Sequence, residues 1–266
     1  MLMTLSKTLS RDLLQSDLFM FPERFDKIIS SLGFCSLRSA KNFLQKNHVC
    51  VNSRRVDFRN FMFDSDEDEL EINGKKIPVK KNIYLMMNKP AGIVCSKVSD
   101  SHKVIYDLLK DEQFMHEGRS VHTVGRLDAD TEGLIFLTDN GSFSNHLSSP
   151  QSHVEKTYRI ELSEKVEEAV RKEWQEKFYG GITIPAEKKS PEDFVDKAVL
   201  TWLSSSECQL KICQGKFHQV RRMVRAMKNE VKLLTRIAIG NVKLDPALSA
   251  GSWRFLTEDE LAGFAH

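Results

Sequence analysis

The order of apolar and polar positions divides the chain into two differently patterned stretches. Between residues 22 and 82 the signals are short. Phe25, Ile28, Ile29 and Leu32 fall at helical spacing and Gly33 stops the run, which predicts a first helix. Ser36 is placed to cap a second helix with the stripe Leu37, Ala40, Phe43 and Leu44, and with Arg38, Lys41, Gln45 and Lys46 on its wetter side. Val49 to Val51 reads as a short strand, Asn52-Ser53 as a turn, and Leu70 to Ile72 with Asn73-Gly74 as a hairpin arm and its turn. Lys75, Lys76, Pro78 and Lys80 to Asn82 form a polar linker, and the domain boundary is placed there.

From 83 onward short apolar runs recur at 83–87, 134–138, 156–162, 198–203, 208–213 and 231–235. Two amphipathic helices interrupt them. Val166, Ala169, Val170, Trp174 and Phe178 mark one, ended by Gly180-Gly181; Val220, Met223, Val224 and Met227 mark the other. The strand spacing is irregular, with no repeat and no βαβ alternation. The expected fold class is α+β: a small helix-rich domain over 22–82, then a mixed, mostly antiparallel sheet flanked by helices and loops over 83–266. Residues 1–21 read as an N-terminal extension.

Composition changes this picture little. The 266 residues are 41% hydrophobic and 29% charged, as in ordinary globular proteins, which argues against wholesale disorder or a rod. Arg11, Asp12 and Asp17 interrupt the first twenty residues, and no apolar stretch approaches the eighteen needed to span a bilayer. A cytoplasmic protein without membrane contact is expected. Five cysteines without a CxxC pair read as reduced thiols and offer no zinc framework.

Charge is more informative. The net charge of +2 excludes a uniformly basic coat. Yet residues 22–59 hold eight Lys or Arg against three acids, and 216–236 hold seven against one; 60–74 hold six acids and no base. Two basic islands far apart in sequence suit an extended polyanion better than a small anionic ligand.

The densest chemistry lies in 125–141, a polar loop with several carboxylates feeding an apolar strand. Asp128, Asp130, Glu132, Gly133, Ile135 and Asp139 fall on positions 1, 3, 5, 6, 8 and 12 of a calcium-binding EF-hand loop. That loop needs a helix on each side and a long Glu at its end. The strand pattern over 134–138 and the short Asp139 speak against it.

The stretch PERFDKIISSLGFCSLRSAKNFLQKNHVCVNSRRV resembles the alpha-L RNA-binding motif first known in ribosomal small-subunit protein four. The resemblance implies that Arg24, Lys27, Arg38, Lys41, Asn52, Arg54 and Arg55 bind structured RNA. It departs from the motif at Asn47-His48 and at Ser53, turn positions where glycine is common; Asn tolerates left-handed backbone. Gly125-Arg126-Leu127-Asp128 through Thr131, Gly133 and Leu134 resembles the catalytic motif of pseudouridine synthases. Lys89-Pro90-Ala91-Gly92, Lys156-Thr157-Tyr158 and Gly215 to Met223 follow in the order of that family. The arrangement is similar to its ribosomal small-subunit branch (RsuA type).

The resemblance implies isomerisation of uridine to pseudouridine in ribosomal RNA. The bond between ribose and uracil nitrogen breaks, the base turns, and a bond to carbon-5 replaces it. No metal, redox cofactor or energy source is demanded. Asp128 is the implied nucleophile, Arg221 the cation that keeps it ionised, and Tyr158 the ring that retains the base and helps move the proton. Lys89, Arg126, Leu127, Thr131, Gly133, Leu134, Lys156, His218, Gln219 and Arg222 are the implied substrate-binding set, Lys89 by orienting the loop. The expected partner is ribosomal RNA or an assembling ribosomal subunit, bound by a monomer. A large-subunit synthase and a non-catalytic assembly factor are the alternatives.

Overall fold

The computed structural model describes residues 21–110, 112, 115, 121–188 and 190–264. The expected extension over 1–21 therefore lies outside the described residues apart from Phe21.

Helix α1 (Phe25–Ser31) buries Phe25, Ile28 and Ile29, as the spacing requires. Helix α2 (Ala40–Lys46) starts later than expected. Ser36 does not cap it. The Ser36 and Ser39 hydroxyls lie 2.8 Å apart, the Ser36 N–H donates to Ser39 Oγ at 3.0 Å, and Ser39 becomes the N-cap. Serine side chains that bond the nearby backbone offer an alternative to a helical turn. Leu37 is left outside the helix and exposed.

Strands β1 (Val49–Val51), β2 (Arg54–Arg55), β3 (Leu70–Ile72) and β4 (Lys75–Ile77) form an antiparallel sheet in the order β2-β1-β3-β4. The turn after β1 is left-handed at Asn52 (φ 48°) and Ser53 (φ 64°), as a two-residue hairpin of this twist demands. Asn47 is extended instead (φ −120°) and closes α2 through its amide, which donates to Phe43 O. Lys75 to Ile77, read as linker, is a strand whose lysines face water at a sheet edge.

The acidic run leads into β3, and its acidic residues are at least partly solvent-accessible, with one exception. Asp64 is buried, and its Oδ2 has no hydrogen-bond partner. Burial and the neighbouring Asp66, Asp68 and Glu67 push its carboxyl up to about 6. The neutral acid is thus favoured in the fold. This contribution is complete below about pH 4 and is lost as pH rises through about 6. Asp64→Asn is expected to remove that loss. It should stabilise the protein by on the order of 2 kcal/mol at pH 8, with little gain at pH 4, in paired urea titrations.

The larger sheet runs β8 (Val199–Trp202), β9 (Glu207–Ile212), β7 (Lys156–Leu162), β10 (Val231–Ile239), β6 (Thr131–Thr138), β5 (Tyr84–Lys89), β11 (Trp253–Phe255). Each pairing in this order is antiparallel except β6 with β10. The two halves differ as their patterns do. In β5 and β6, Met86, Leu134 and Phe136 join one apolar cluster while Leu85, Met87, Ile135 and Leu137 join another. Both faces are covered, so these strands are continuous apolar runs. Strands β7 and β9 alternate: Ile160, Leu162, Cys208, Leu210 and Ile212 face a core, and Arg159 and Lys211 face solvent.

Helix α3 (Gly141–Ser148) follows β6, and α4 (Glu168–Gly180) follows β7. Only Trp174 and Phe178 of the α4 stripe are buried; Ala169 and Val170 are exposed and Val166 precedes the helix. Helix α5 (Gln219–Ala226) buries Val220, Met223 and Val224 against the same cluster.

Candidate active site

The parallel contact of β6 with β10 is only three residues long, pairing Thr131 to Gly133 with Leu234 to Arg236. Gly133 permits it. A Cβ there would sit 2.3 Å from Arg236 O, and the backbone has φ +96°. Beside this junction a cleft of about 320 Å³ opens between the loop ahead of β6, strand β7 and the start of α5, at the small end of ligand pockets (roughly 300–1,000 Å³).

Asp128, Tyr158 and Arg221 all line this cleft, with Arg126, Leu127, Thr131, His218 and Gln219. Three motifs, separated by many residues in the chain, thus converge. Tyr158 is half-buried and touches two of the apolar clusters on the large sheet. The register of β7 against β10 shifts between Thr157 and Tyr158, a bulge of the kind that re-aims a side chain. Asp128 projects from the loop with its side chain 38% exposed.

Lys89 builds the loop rather than the cleft wall. It is fully buried, and its ammonium donates to Thr131 O at 2.8 Å, Pro90 O at 3.0 Å and Ala129 O at 3.3 Å. Gly92 N–H adds a bond to Ala129 O at 2.8 Å. The Lys-Pro-Ala-Gly segment therefore clamps the chain just after Asp128, at Ala129 and Thr131. Burial pushes the Lys89 pKa down, against the fields of Cys95, Asp130, Glu132 and Asp128.

The expected pairing of Arg221 with Asp128 is corrected. The guanidinium binds Asp130 instead: Nη2 lies 3.0 Å from its carboxylate and 3.2 Å from its carbonyl, and Nη1 donates to Val231 O at 3.3 Å. The group facing Asp128 is His218, whose Nε2 is 3.6 Å from Oδ1. In this state Arg221 fixes the loop two residues beyond the carboxylate. Its Nε is buried without a partner.

Other expected substrate contacts are structural. Arg222 is buried, donating to Pro185 O (2.8 Å), Phe217 O (3.2 Å) and Pro191 O (2.5 Å). Leu134 lies in the core and Gly133 at the strand crossing. Lys156 is outside the cleft lining, and burial together with Arg236 pushes its pKa down. Gln219 is buried, and its Oε1 accepts from Lys216 N–H at 2.9 Å, closing the loop before α5. The calcium reading fails on geometry: Glu132 to Thr138 lie in extended β6, which cannot curl around an ion.

In the N-terminal unit Lys27, Arg38, Lys41, Arg54 and Arg55 are exposed, interspersed with exposed Phe34 and Leu37. Arg24 is half-exposed and paired with buried Asp26 at 2.5 Å. Asn52 is occupied by the fold: its amide donates to Asp68 at 2.7 Å and its oxygen accepts from Glu69 N–H at 2.9 Å.

Two residues carry no motif signal. Arg236 is buried and donates to Leu134 O at 2.7 Å, with Nη2 unpartnered. Glu187 reaches His218 and Arg225. Burial pushes its carboxyl up, but its bonds to His218 and Arg225 outweigh this and hold it below its ordinary value.

The family described as RNA pseudouridylate synthase matches residues 83–226. The chain is 35% identical over 241 residues to ribosomal small subunit pseudouridine synthase A of Escherichia coli strain K12, covering 90% of this chain and 98% of that one. It is 33% identical over 241 residues to the uncharacterized RNA pseudouridine synthase YtzG of Bacillus subtilis strain 168, covering 90% and 96%. A crystal structure of a pseudouridylate synthase is similar at TM-score 0.62 and 33% identity, covering 91% and 99%.

Proposed function

This chain belongs to the RNA pseudouridylate synthase family and isomerises uridine in RNA, and from that premise we propose that its target lies in small-subunit ribosomal RNA, with Asp128 as nucleophile. The observation that carries the residue assignment is the single cleft lined by Asp128, Tyr158 and Arg221. The small-subunit assignment is supported by the names of relatives that share nine-tenths of this chain. The exposed basic residues of the N-terminal unit supply phosphate contacts away from the cleft. A base inside a helix cannot reach Asp128, so the target uridine leaves its stack to enter, at a cost of a few kcal/mol.

Once inside, the base lies against the Tyr158 ring. Leu127 and Leu234 give apolar walls, and Arg126 is exposed at the rim, placed to hold a backbone phosphate. Asp128 acts on the ribose or the ring, and the glycosidic bond breaks. The enclosed cleft retains uracil while it turns. The new bond forms at carbon-5, whose proton then leaves; the nitrogen that lost the sugar gains one, so the sum is an isomerisation without added reagents.

Mapping pseudouridine in both ribosomal RNAs, from cells with and without this protein, tests the reading. Loss of one small-subunit pseudouridine is expected. Loss confined to the large-subunit RNA would replace the target, and an unchanged map in both would overturn the proposal. Tyr158 has a separate test. Tyr158→Phe keeps the ring and removes the hydroxyl, so an about 10²-fold slower single turnover with unchanged RNA affinity is expected if the hydroxyl moves the proton. A wild-type rate in that variant would reduce Tyr158 to a stacking platform.

A further inference from the structure

A carboxylate reaches this site from a turn that no motif marks. Glu187 and Ser190 exchange two main-chain hydrogen bonds of 2.9 Å each, and Lys188 between them is in a turn. The Glu187 side chain is 17% exposed. Its Oε1 lies 2.9 Å from His218 Nδ1, and its Oε2 accepts from Arg225 Nη1 at 3.2 Å. The opposite ring nitrogen, His218 Nε2, points to Asp128 Oδ1 at 3.6 Å. One imidazole therefore stands between two carboxylates, one in the cleft and one behind it.

The ring is held on a face as well. Phe217 stacks on it with centroids 3.8 Å apart and planes inclined by 16°. His218 itself has left-handed backbone at φ +46°. Side chains other than glycine seldom persist there unless surrounding contacts determine the position. The main-chain twist turns the imidazole back toward the loop that carries Asp128, and Glu187 meets its far side.

We propose that Glu187 is a positioning residue for the isomerisation: by accepting from the Nδ1–H of His218 it fixes the imidazole with Nε2 facing Asp128. The inference rests on the assignment of Asp128 as the reacting carboxylate. A carboxylate bonded to one imidazole nitrogen sets which nitrogen bears the proton and which is presented to the site. Here Nδ1 keeps its proton for Glu187, and Nε2 is the nitrogen at which a proton arrives or departs in the cleft. When the ring is protonated, Nε2–H is the positive partner of Asp128 while Arg221 is engaged by Asp130. Glu187 touches neither base nor ribose; it acts through His218.

The test uses the purified full chain and a ribosomal RNA substrate. The wild-type protein comes first: no pseudouridine from it would refute the proposed function and leave this inference without its premise, which separates the two failures. With an active wild type, Glu187→Met keeps the chain length and removes both acceptors. Single turnover is expected to slow about 10²-fold, as for a displaced catalytic group, with RNA affinity within about twofold. Glu187→Gln still accepts through its amide oxygen and is expected to recover most of the rate. In a His218→Ala background, Glu187→Met should cost nothing further, since residues acting as one unit are not additive.

Additive losses, or a wild-type rate in Glu187→Met, would overturn the proposal. A readout on the unmodified protein covers the case in which the variant does not fold. Nitrogen-15 shifts of neutral His218 are expected to show the proton on Nδ1. A ring protonated on Nε2, with Nδ1 bare, would equally overturn it.

Discussion

Asp128→Ala is expected to abolish pseudouridine formation, with a loss of at least about 10⁴-fold in single turnover, while RNA affinity changes less than about twofold. The size follows from the proposed role of nucleophile. A nucleophile is not replaced by its neighbours, and removing one member of a catalytic unit removes most of what the unit does. The sparing of affinity follows from placement. Asp128 stands in the cleft, whereas the exposed basic residues of the N-terminal unit lie on separate elements. Removing a negative charge from a polyanion's path does not weaken binding. Asp128→Asn sharpens the test, because the amide keeps the shape and hydrogen bonds but not the nucleophile. Retention of even a few per cent of the rate in both variants would count against covalent attack. Simultaneous loss of RNA binding would place Asp128 in the binding surface instead.

The second large effect is expected at Lys89, which never meets the substrate. Lys89→Met preserves the packing of the stem and deletes the ammonium that draws together Pro90, Ala129 and Thr131 carbonyls. Charge-assisted bonds in a buried setting are worth about 1.5–3 kcal/mol each, offset in part by the released cost of burying the charge. A net destabilisation of about 2–4 kcal/mol is expected, read as a melting temperature lower by about 5–15 °C. Because two of the three carbonyls belong to the loop carrying Asp128, turnover should fall about 10²-fold even at temperatures where the variant stays folded. Lys89→Arg does not rescue, since the larger guanidinium has to enter a fully buried space. A variant that melts early but turns over at the wild-type rate would show that Lys89 supports the sheet and not the loop.

The two strand types show what kind of pattern survives in a linear chain. The runs at 83–87 and 134–138 are apolar at every position because both faces of β5 and β6 are covered, while 156–162 and 208–213 alternate because one face of β7 and β9 meets water. Burial writes itself directly into residue type, so these elements were legible. Helix starts were less so. Ser36 has the chemistry of a cap, but its hydroxyl pairs with that of Ser39 in a turn of their own, and α2 starts after it without a side-chain cap. The linker at 75–77 became a strand for a related reason: an edge strand rich in lysine has the composition of a loop.

At the site, the sequence by itself determined which residues are present, because chemistry constrains residue type within short motifs such as Gly-Arg-Leu-Asp and Lys-Pro-Ala-Gly. It also determined that separate segments would carry them. Partnership was decided by the tertiary structure alone. Arg221 met Asp130 rather than Asp128, Lys89 turned into the protein, and Glu187 arrived from a turn without any motif. Those outcomes depend on angles between elements distant in the chain, and a hydrogen bond is decided by tenths of an ångström. No spacing along one dimension encodes a distance of that kind.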